Sequence, residues 1–270
     1  MNKKKINNSL FDFTNSNVYI IGGSGLIGAK IVNDFLSLGA NVISLDIVKP
    51  KFKNYKNKKN FFFKFFNCDV SSDNNFNFNE LYNQNGNPNV LINCAYPRDN
   101  NWSNNNFSKI DFTSLKKNID LHLISYSWIA KETANYMSKN KIHGSILLFS
   151  SIYGSYGQDL NLYNKTNMRE NMSYSIIKGG IINLVRQMSS YYGQYNIRIN
   201  SISPGGLYGH TAGKSKSQNQ IFLKQYADKT PLGRLGKASE ISKSAVFLSS
   251  PSASYITGAN LIIDGGISIV

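Results

Sequence analysis

Cysteine is scarce, with 2 in 270 residues, Cys68 and Cys94. Two such residues give no disulfide framework and no metal-ligand spacing, so reduced thiols are expected. Long apolar runs are missing too. No stretch approaches the ~20 residues of a membrane-spanning helix, and Met1 to Leu10 is Lys- and Asn-rich without the apolar centre of a secretory signal. The chain is therefore expected to be cytoplasmic, without a membrane partner, and residues 1–10 to be a flexible basic tail. Acidic residues are few, 15 against 30 Lys plus Arg, for a net charge of +15. Such a balance could attract nucleic acid, anionic lipid or a phosphorylated substrate. Lys, Asn and Ile are abundant all along the chain, however, as in proteins of AT-rich genomes, so nucleic acid is disfavoured as a partner. The densest basic run, Lys49 to Phe66, reads as a solvated loop followed by an aromatic strand.

What is present is enough apolar residue, 41%, to fill a core. The length fits one α/β domain over 1–270. Strands are expected at Val18–Ile21, Val42–Leu45, Phe61–Phe66, Val90–Ile92, Ser145–Phe149, Ile197–Ile202 and Asn260–Ile263. Helices are expected from Gly25 to Leu38, with Gly39 as C-cap, and around Leu115–Met137, Ser173–Tyr192 and Ser239–Leu248. Strands alternating with helices imply a parallel sheet of about seven strands with helices on both faces. The Asn-rich segment Asn74–Asn106 is low in complexity but contains a strand, so it stays inside the domain.

The stretch "YIIGGSGLIGAK" sets Gly22, Gly25 and Gly28 between the first strand and the first helix. A pyrophosphate can approach backbone N–H groups at such a helix start, and a side chain would block it. Ser24, Leu26 and Ile27 share that turn. Asp46 closes the second strand eighteen residues after Gly28, near the spacing at which a carboxylate grips the ribose hydroxyls of a dinucleotide. A carboxylate there repels a 2′-phosphate, which favours NAD over NADP, while Lys49 acts the other way. The plain alternative is a tight turn and an Asp that merely ends a strand.

A second constellation follows the strand of "SILLFSSIYG". Ser151 stands at its end, and "YSIIKGGIINL" opens a helix with Tyr174 and Lys178 one turn apart. Tyr-x-x-x-Lys also occurs at Tyr55/Lys59, in the basic loop. Tyr174 and Lys178 differ in continuing into Ile181 and Val185 on one helical face, toward the sheet. A phenol titrates near ~10 in water, and a nearby ammonium favours the phenolate and brings it into range for proton transfer.

With these residues the chain resembles the short-chain dehydrogenase/reductases, from Phe11-Asp12-Phe13 to Asp264-Gly265-Gly266. The glycine turn, Asp69-Val70, the Ser/Tyr/Lys set, "ISPGGL" and "ITGANLIIDGG" appear in the family's order. The resemblance implies a doubly wound Rossmann-type domain and a nicotinamide-dependent oxidoreductase that passes a hydride between the nicotinamide and a carbonyl or secondary alcohol. Tyr174 would be the general acid/base, Ser151 would polarise the substrate oxygen, and Lys178 would lower the tyrosine's pKa and hold the nicotinamide ribose. Asp69 and Val70 would lie near the adenine, Asn93 and Ala95 beside the cofactor, and Pro204 and Gly205 next to the nicotinamide. Homodimers or homotetramers through the two long helices are implied as well.

The departures are specific. The glycine spacing is that of the family's sugar-nucleotide branch, and position 26 is Leu rather than Gly. The usual Asn-Asn-Ala-Gly reads Asn93-Cys94-Ala95-Tyr96. The Asn of the catalytic tetrad falls on His122, with Asn118 one turn earlier as the competing alignment. The family uses that residue's carbonyl to hold a water beside the Lys, so His can replace Asn. An imidazole titrates near ~6.5 when unperturbed, and a cation beside Lys178 is disfavoured, so His122 is expected to shape the acid limb of a pH–rate profile. Ser151 and Tyr174 are 23 residues apart, about ten more than is common in the family, and the excess, Tyr153 to Met172, is expected to wall the substrate pocket. These features are similar to family members in bacterial surface-glycan and flagellin-modification pathways. A phosphorylated or nucleotide-linked sugar would suit Arg98 and the basic charge, with Tyr96 and Tyr153 as further substrate contacts. A 3-oxoacyl-carrier-protein reductase and a non-catalytic dinucleotide- or nucleic-acid-binding protein are the rivals.

Overall fold

The computed structural model describes residues 11–50, 62–71, 76–209 and 218–270. The expected tail, most of the basic run and the Tyr55/Lys59 pair lie outside the described residues. Seven strands are described: β1 (Asn17–Ile21), β2 (Asn41–Asp46), β3 (Phe63–Asn67), β4 (Val90–Asn93), β5 (Ser145–Phe149), β6 (Arg198–Pro204) and β7 (Asn260–Ile263). They form one sheet in the order β3-β2-β1-β4-β5-β6-β7, with every neighbouring pair parallel. This is the doubly wound Rossmann arrangement, and its strand order reverses between β1 and β4.

The helices are α1 (Gly28–Ser37), α2 (Phe78–Asn85), α3 (Phe112–Asn118), α4 (Ser125–Lys139), α5 (Met172–Tyr192), α6 (Gln220–Lys229) and α7 (Ala238–Ser249). Alternate strand residues feed two cores. Tyr19, Ile43, Leu91 and Ile146 pack with α2, α4 and α5, whereas Ile20, Val42, Ile92 and Leu147 pack with α1 and α7. Strands β4 and β5 are buried along their whole length, as a parallel sheet covered on both faces requires. At roughly 25 cal/mol per Å² of apolar surface, these two layers are the main stabilising term.

The sequence expectations need three corrections. The first helix begins at Gly28, not Gly25, because the Gly25 N–H closes a turn onto Gly22 O at 3.1 Å. The helix expected over Leu115–Met137 is broken by a π turn at Ile119–Ile124 between α3 and α4. There the Ser125 and Ser127 hydroxyls donate to the Leu121 and Leu123 carbonyls, at 2.6 and 2.7 Å, and compete with the regular ladder. Two helices went unforeseen. α2 lies inside the Asn-rich segment, capped by Asn77, and buries Phe78, Leu81 and Tyr82 at helical spacing within only eight residues, whereas α6 buries only Tyr226. No described helix is long and apolar enough to cross a membrane.

Candidate active site

The reversal of strand order opens a crevice at the carboxyl ends of β1 and β4, and the glycine turn sits there. Gly22 has φ +80°, and a Cβ on it would lie 2.6 Å from the Ala95 backbone. A Cβ on Gly28 would lie 2.0 Å from Gly22 O, so the turn and α1 can pack only without side chains at both places. Gly23, which the sequence reading passed over, is held just as tightly by Ser44. Gly25 is different. A Cβ there meets only Gly22 O at 3.3 Å, so the protein's own packing explains little of its need for glycine. The start of α1, at Ile27, has no side-chain cap. Uncapped N–H groups and a side-chain-free approach together fit the phosphates of a dinucleotide.

Asp46 is fixed at the mouth of this turn. Its two oxygens accept from Ser24 N–H at 2.9 Å and Val48 N–H at 3.0 Å, and the Ser24 hydroxyl donates to Val48 O. Leu26 is partly exposed and reaches Gly209, while Ile27 packs on the α1 core. Asn93, fully buried at the end of β4, accepts from Ala95 N–H. In the position after it, the Cys94 thiol donates to Ile21 O at 3.1 Å, and burial pushes it up to about 12, so it is an inert strut.

The end of β5 and the start of α5 bring Ser151, Tyr174 and Lys178 together. Asn171 caps α5 by accepting from Tyr174 N–H at 2.8 Å. The Ser151 hydroxyl, which accepts from Tyr153 N–H at 3.3 Å, lies close enough to the Tyr174 phenol to favour its ionised form. Lys178 is buried, and its Nζ donates to Phe149 O at 2.8 Å and meets His122 Nε2 at 3.2 Å. Three rings, those of Tyr96, Tyr126 and Tyr174, lie 5.6–5.8 Å from the same nitrogen.

His122, in the π turn, is thus the residue beside Lys178. The competing Asn118 instead accepts from Asp99 N–H and donates to Ser114, and so ties down the loop after β4. The contact of His122 is made by its ring rather than its carbonyl, which accepts from the Ser125 N–H and hydroxyl. Burial first, and the Lys178 charge second, hold the imidazole well below its ordinary range, so it stays neutral. The charged form is disfavoured beside Lys178, as expected, with burial as the larger cause.

A correction concerns the tyrosine. Burial raises the Tyr174 phenol above its usual value and the adjacent Ser151 hydroxyl offsets part of that, so the lowering expected from Lys178 does not prevail. Lys178 itself is pulled down to about 7 by burial. The phenol is therefore protonated at neutral pH, a form suited to donating a proton to a carbonyl oxygen.

Aromatic rings enclose this group. Tyr96 stands edge-on to Trp102, His122 and Tyr174, Trp102 to Tyr174 at 6.1 Å, and Tyr153 to Tyr174 at 6.4 Å. Arg98 lies over the Tyr96 ring at 5.3 Å. Trp102, Tyr126 and Asn171 were not foreseen, and no local pattern marks them. The remaining expected residues lie apart. Asp69 follows β3 and is exposed, accepting from Ser71, with Val70 packed below it. Pro204 ends β6, and Gly205 packs between Asp264 and the Tyr226 hydroxyl. Among the described residues no cluster of His, Cys, Asp or Glu could hold a metal.

Comparison with known proteins agrees with this geometry. Residues 24–268 match the family described as Enoyl-(Acyl carrier protein) reductase. The crystal structure of a short chain dehydrogenase from Leptospira borgpetersenii with bound NAD+ is 31% identical, with a TM-score of 0.85, over 99% of this chain and 98% of that one. A 4-hydroxyisoleucine dehydrogenase complexed with NADH is 26% identical, with a TM-score of 0.80, over 95% of this chain and 100% of that one. The Post-translational flagellin modification protein A of Campylobacter coli is 24% identical over 93% of this chain and 98% of its own length.

The turn makes a direct prediction. Gly28→Ala should cost roughly 1–3 kcal/mol of stability by overpacking, seen as a lower thermal midpoint. Gly25→Ala should leave the midpoint in place but weaken NADH binding about tenfold, as expected for one lost hydrogen bond to a charged group. Equal NADH affinity in Gly25→Ala and wild type, measured by fluorescence titration, would refute the assigned cradle.

Proposed function

The chain belongs to the short-chain dehydrogenase/reductase family of nicotinamide-dependent oxidoreductases, and from that premise we propose that it interconverts a carbonyl and a secondary alcohol on a phosphorylated or nucleotide-linked sugar. The observation that carries the reading is the convergence of Ser151, Tyr174, Lys178 and His122 beside the glycine turn. A nicotinamide held here would supply hydride chemistry at the substrate carbon. Tyr174 donates its phenolic proton to the substrate oxygen during reduction and takes it back during oxidation. Ser151, beside that phenol, orients the same oxygen. Lys178 would hold the nicotinamide ribose, and neutral His122 supports the amino group from behind. Gly22, Ser24, Gly25, Leu26, Ile27 and Gly28 seat the pyrophosphate, with Asn93, Ala95, Pro204 and Gly205 along the rest of the cofactor and Asp69-Val70 toward the adenine.

The sugar is supported by the likeness to a flagellin-modification protein, by the aromatic walls at Tyr96 and Tyr153, and by Arg98, whose guanidinium suits a phosphate. The family description favours an acyl-carrier-protein substrate instead, and an acetoacetyl thioester is the control that separates the two. Self-association through α4 and α5 belongs to the same reading, since Trp128, Ile176 and Tyr191 are exposed there and Ile124 just before α4. Light scattering should give a mass above the 30.2 kDa of one chain.

The deciding experiment is a screen of sugar phosphates and nucleotide sugars by NADH absorbance, with Tyr174→Phe as the test of mechanism. That variant should bind NADH normally and turn over ~10²–10⁴-fold more slowly. Substantial residual activity would reject the role of Tyr174. Run from about pH 5.5 to 9, wild type should show a limb near the Lys178 value of about 7. His122→Asn should keep most of the activity and move that limb alkaline, because a smaller polar side chain relieves the burial that depresses Lys178. Superimposable profiles would remove His122 from the proton machinery.

Cofactor choice follows from Asp46. Wild type should prefer NAD(H), and Asp46→Asn, which keeps an acceptor for Ser24 N–H but loses the charge, should narrow or reverse that preference. A wild-type preference for NADP(H) would overturn the assignment.

A further inference from the structure

Two amides outside the reacting group, Gln158 and Asn171, tie the first turn of α5 to the chain on either side of it. Gln158 Nε2 donates to Asn171 O at 2.9 Å and to Ser175 Oγ at 3.1 Å. Its Oε1 accepts from Asn171 N–H and from the Tyr163 hydroxyl, both at 3.2 Å. A carboxamide has two donors and two acceptor sites, and here all four are used, which no other side chain of this length can match. Asn171 passes the constraint on. Its Oδ1 accepts from Tyr174 N–H at 2.8 Å, and its Nδ2 donates to Trp102 O at 3.0 Å. Met172 N–H, the next along the chain, donates to Asn105 O.

The same knot reaches α6. The Tyr163 ring is stacked on Phe222 at 6.2 Å. Asp159 pairs with Lys229, and Gln225 Nε2 donates to Asn164 O. The lengthened connection between Ser151 and Tyr174 is thus anchored at one end on α6 and at the other on the first turn of α5.

We propose that Gln158, acting through Asn171, is the positioning residue that fixes the first turn of α5, and with it Tyr174, against Trp102 in the loop after β4. The extra residues between Ser151 and Tyr174 are then part of the apparatus that aims the phenol, not only a wall of the pocket. Gln158 touches neither Tyr174 nor Ser151. Its effect travels through the Asn171 cap, and a displacement of about 1 Å at a reacting group costs up to ~10²-fold in rate. The catalytic part of this inference rests on Tyr174 as the proton-transferring residue, whereas the positional part does not.

The chain has 2 tryptophans, so a Trp128→Phe background leaves Trp102 as the sole indole beside Tyr174. In that background Gln158→Met removes all four hydrogen bonds at constant length, and Gln158→Glu keeps the two acceptors. Gln158→Met should change the Trp102 emission and near-ultraviolet dichroism and speed amide exchange at residues 172–175. NADH affinity should stay within about twofold. With the sugar found by the screen, kcat should fall about 10- to 100-fold with a smaller change in KM. Gln158→Glu should lie between Gln158→Met and wild type in each readout. Unchanged Trp102 signals and unchanged exchange at 172–175 in Gln158→Met overturn the proposal. So does loss of NADH binding together with faster exchange along all of α5, the mark of a merely structural role. If Tyr174→Phe stays active while the Trp102 and exchange responses appear, the reading of Tyr174 fails and the positional inference stands.

Discussion

A buried amino group is the constraint around which this site is built. Lys178 has almost no contact with water, and an ammonium in such a place costs several kcal/mol unless its donors are met. Two partners are supplied, the Phe149 carbonyl at the end of β5 and the His122 ring in the π turn. Meeting them dictates backbone. The β5 strand must stop where its last carbonyl can turn toward α5, and the helix before β5 must widen by a residue to swing His122 inward. A π turn does this, and such turns recur at functional sites. The Ser150 hydroxyl, bonded to Lys178 O at 2.8 Å, locks the same two elements from the other side.

From Lys178 the contacts run unbroken to the glycine turn. His122 packs against Tyr126 at 4.9 Å, the Tyr126 hydroxyl donates to Ala95 O at 2.6 Å, and Ala95 lies where a Cβ on Gly22 would stand. The seat for the phosphates and the group that moves the proton are therefore parts of one packed body. Interiors at this density transmit small shifts rather than absorb them.

Burial also sets the protonation states. The apolar ring cluster raises the Tyr174 phenol, lowers Lys178 to about 7 and keeps His122 neutral. All three shifts have desolvation as their first cause, so one enclosure of Tyr96, Trp102, Tyr126 and Tyr153 holds the site close to electroneutral. A low local dielectric strengthens every charge interaction made there, including those with an incoming substrate or dinucleotide.

Short-range patterning determined much of this protein. The alternation of strands and helices, the bounds of β5 and β7, the glycine turn with Asp46 beyond it, and the one-turn spacing of Tyr174 and Lys178 are all local, because a period of two or 3.6 residues is written in the neighbours themselves. What tertiary structure decided has no such period. Nothing near His122 announces that its ring, 56 residues from Lys178, becomes the lysine's hydrogen-bond partner. Trp102 and Asn171 meet across 69 residues. The phenol's rise, against the fall expected from a neighbouring ammonium, depends on how completely rings from four separate segments exclude water. Desolvation belongs to the assembled interior and not to any stretch of chain, so it could be known only once the chain was folded.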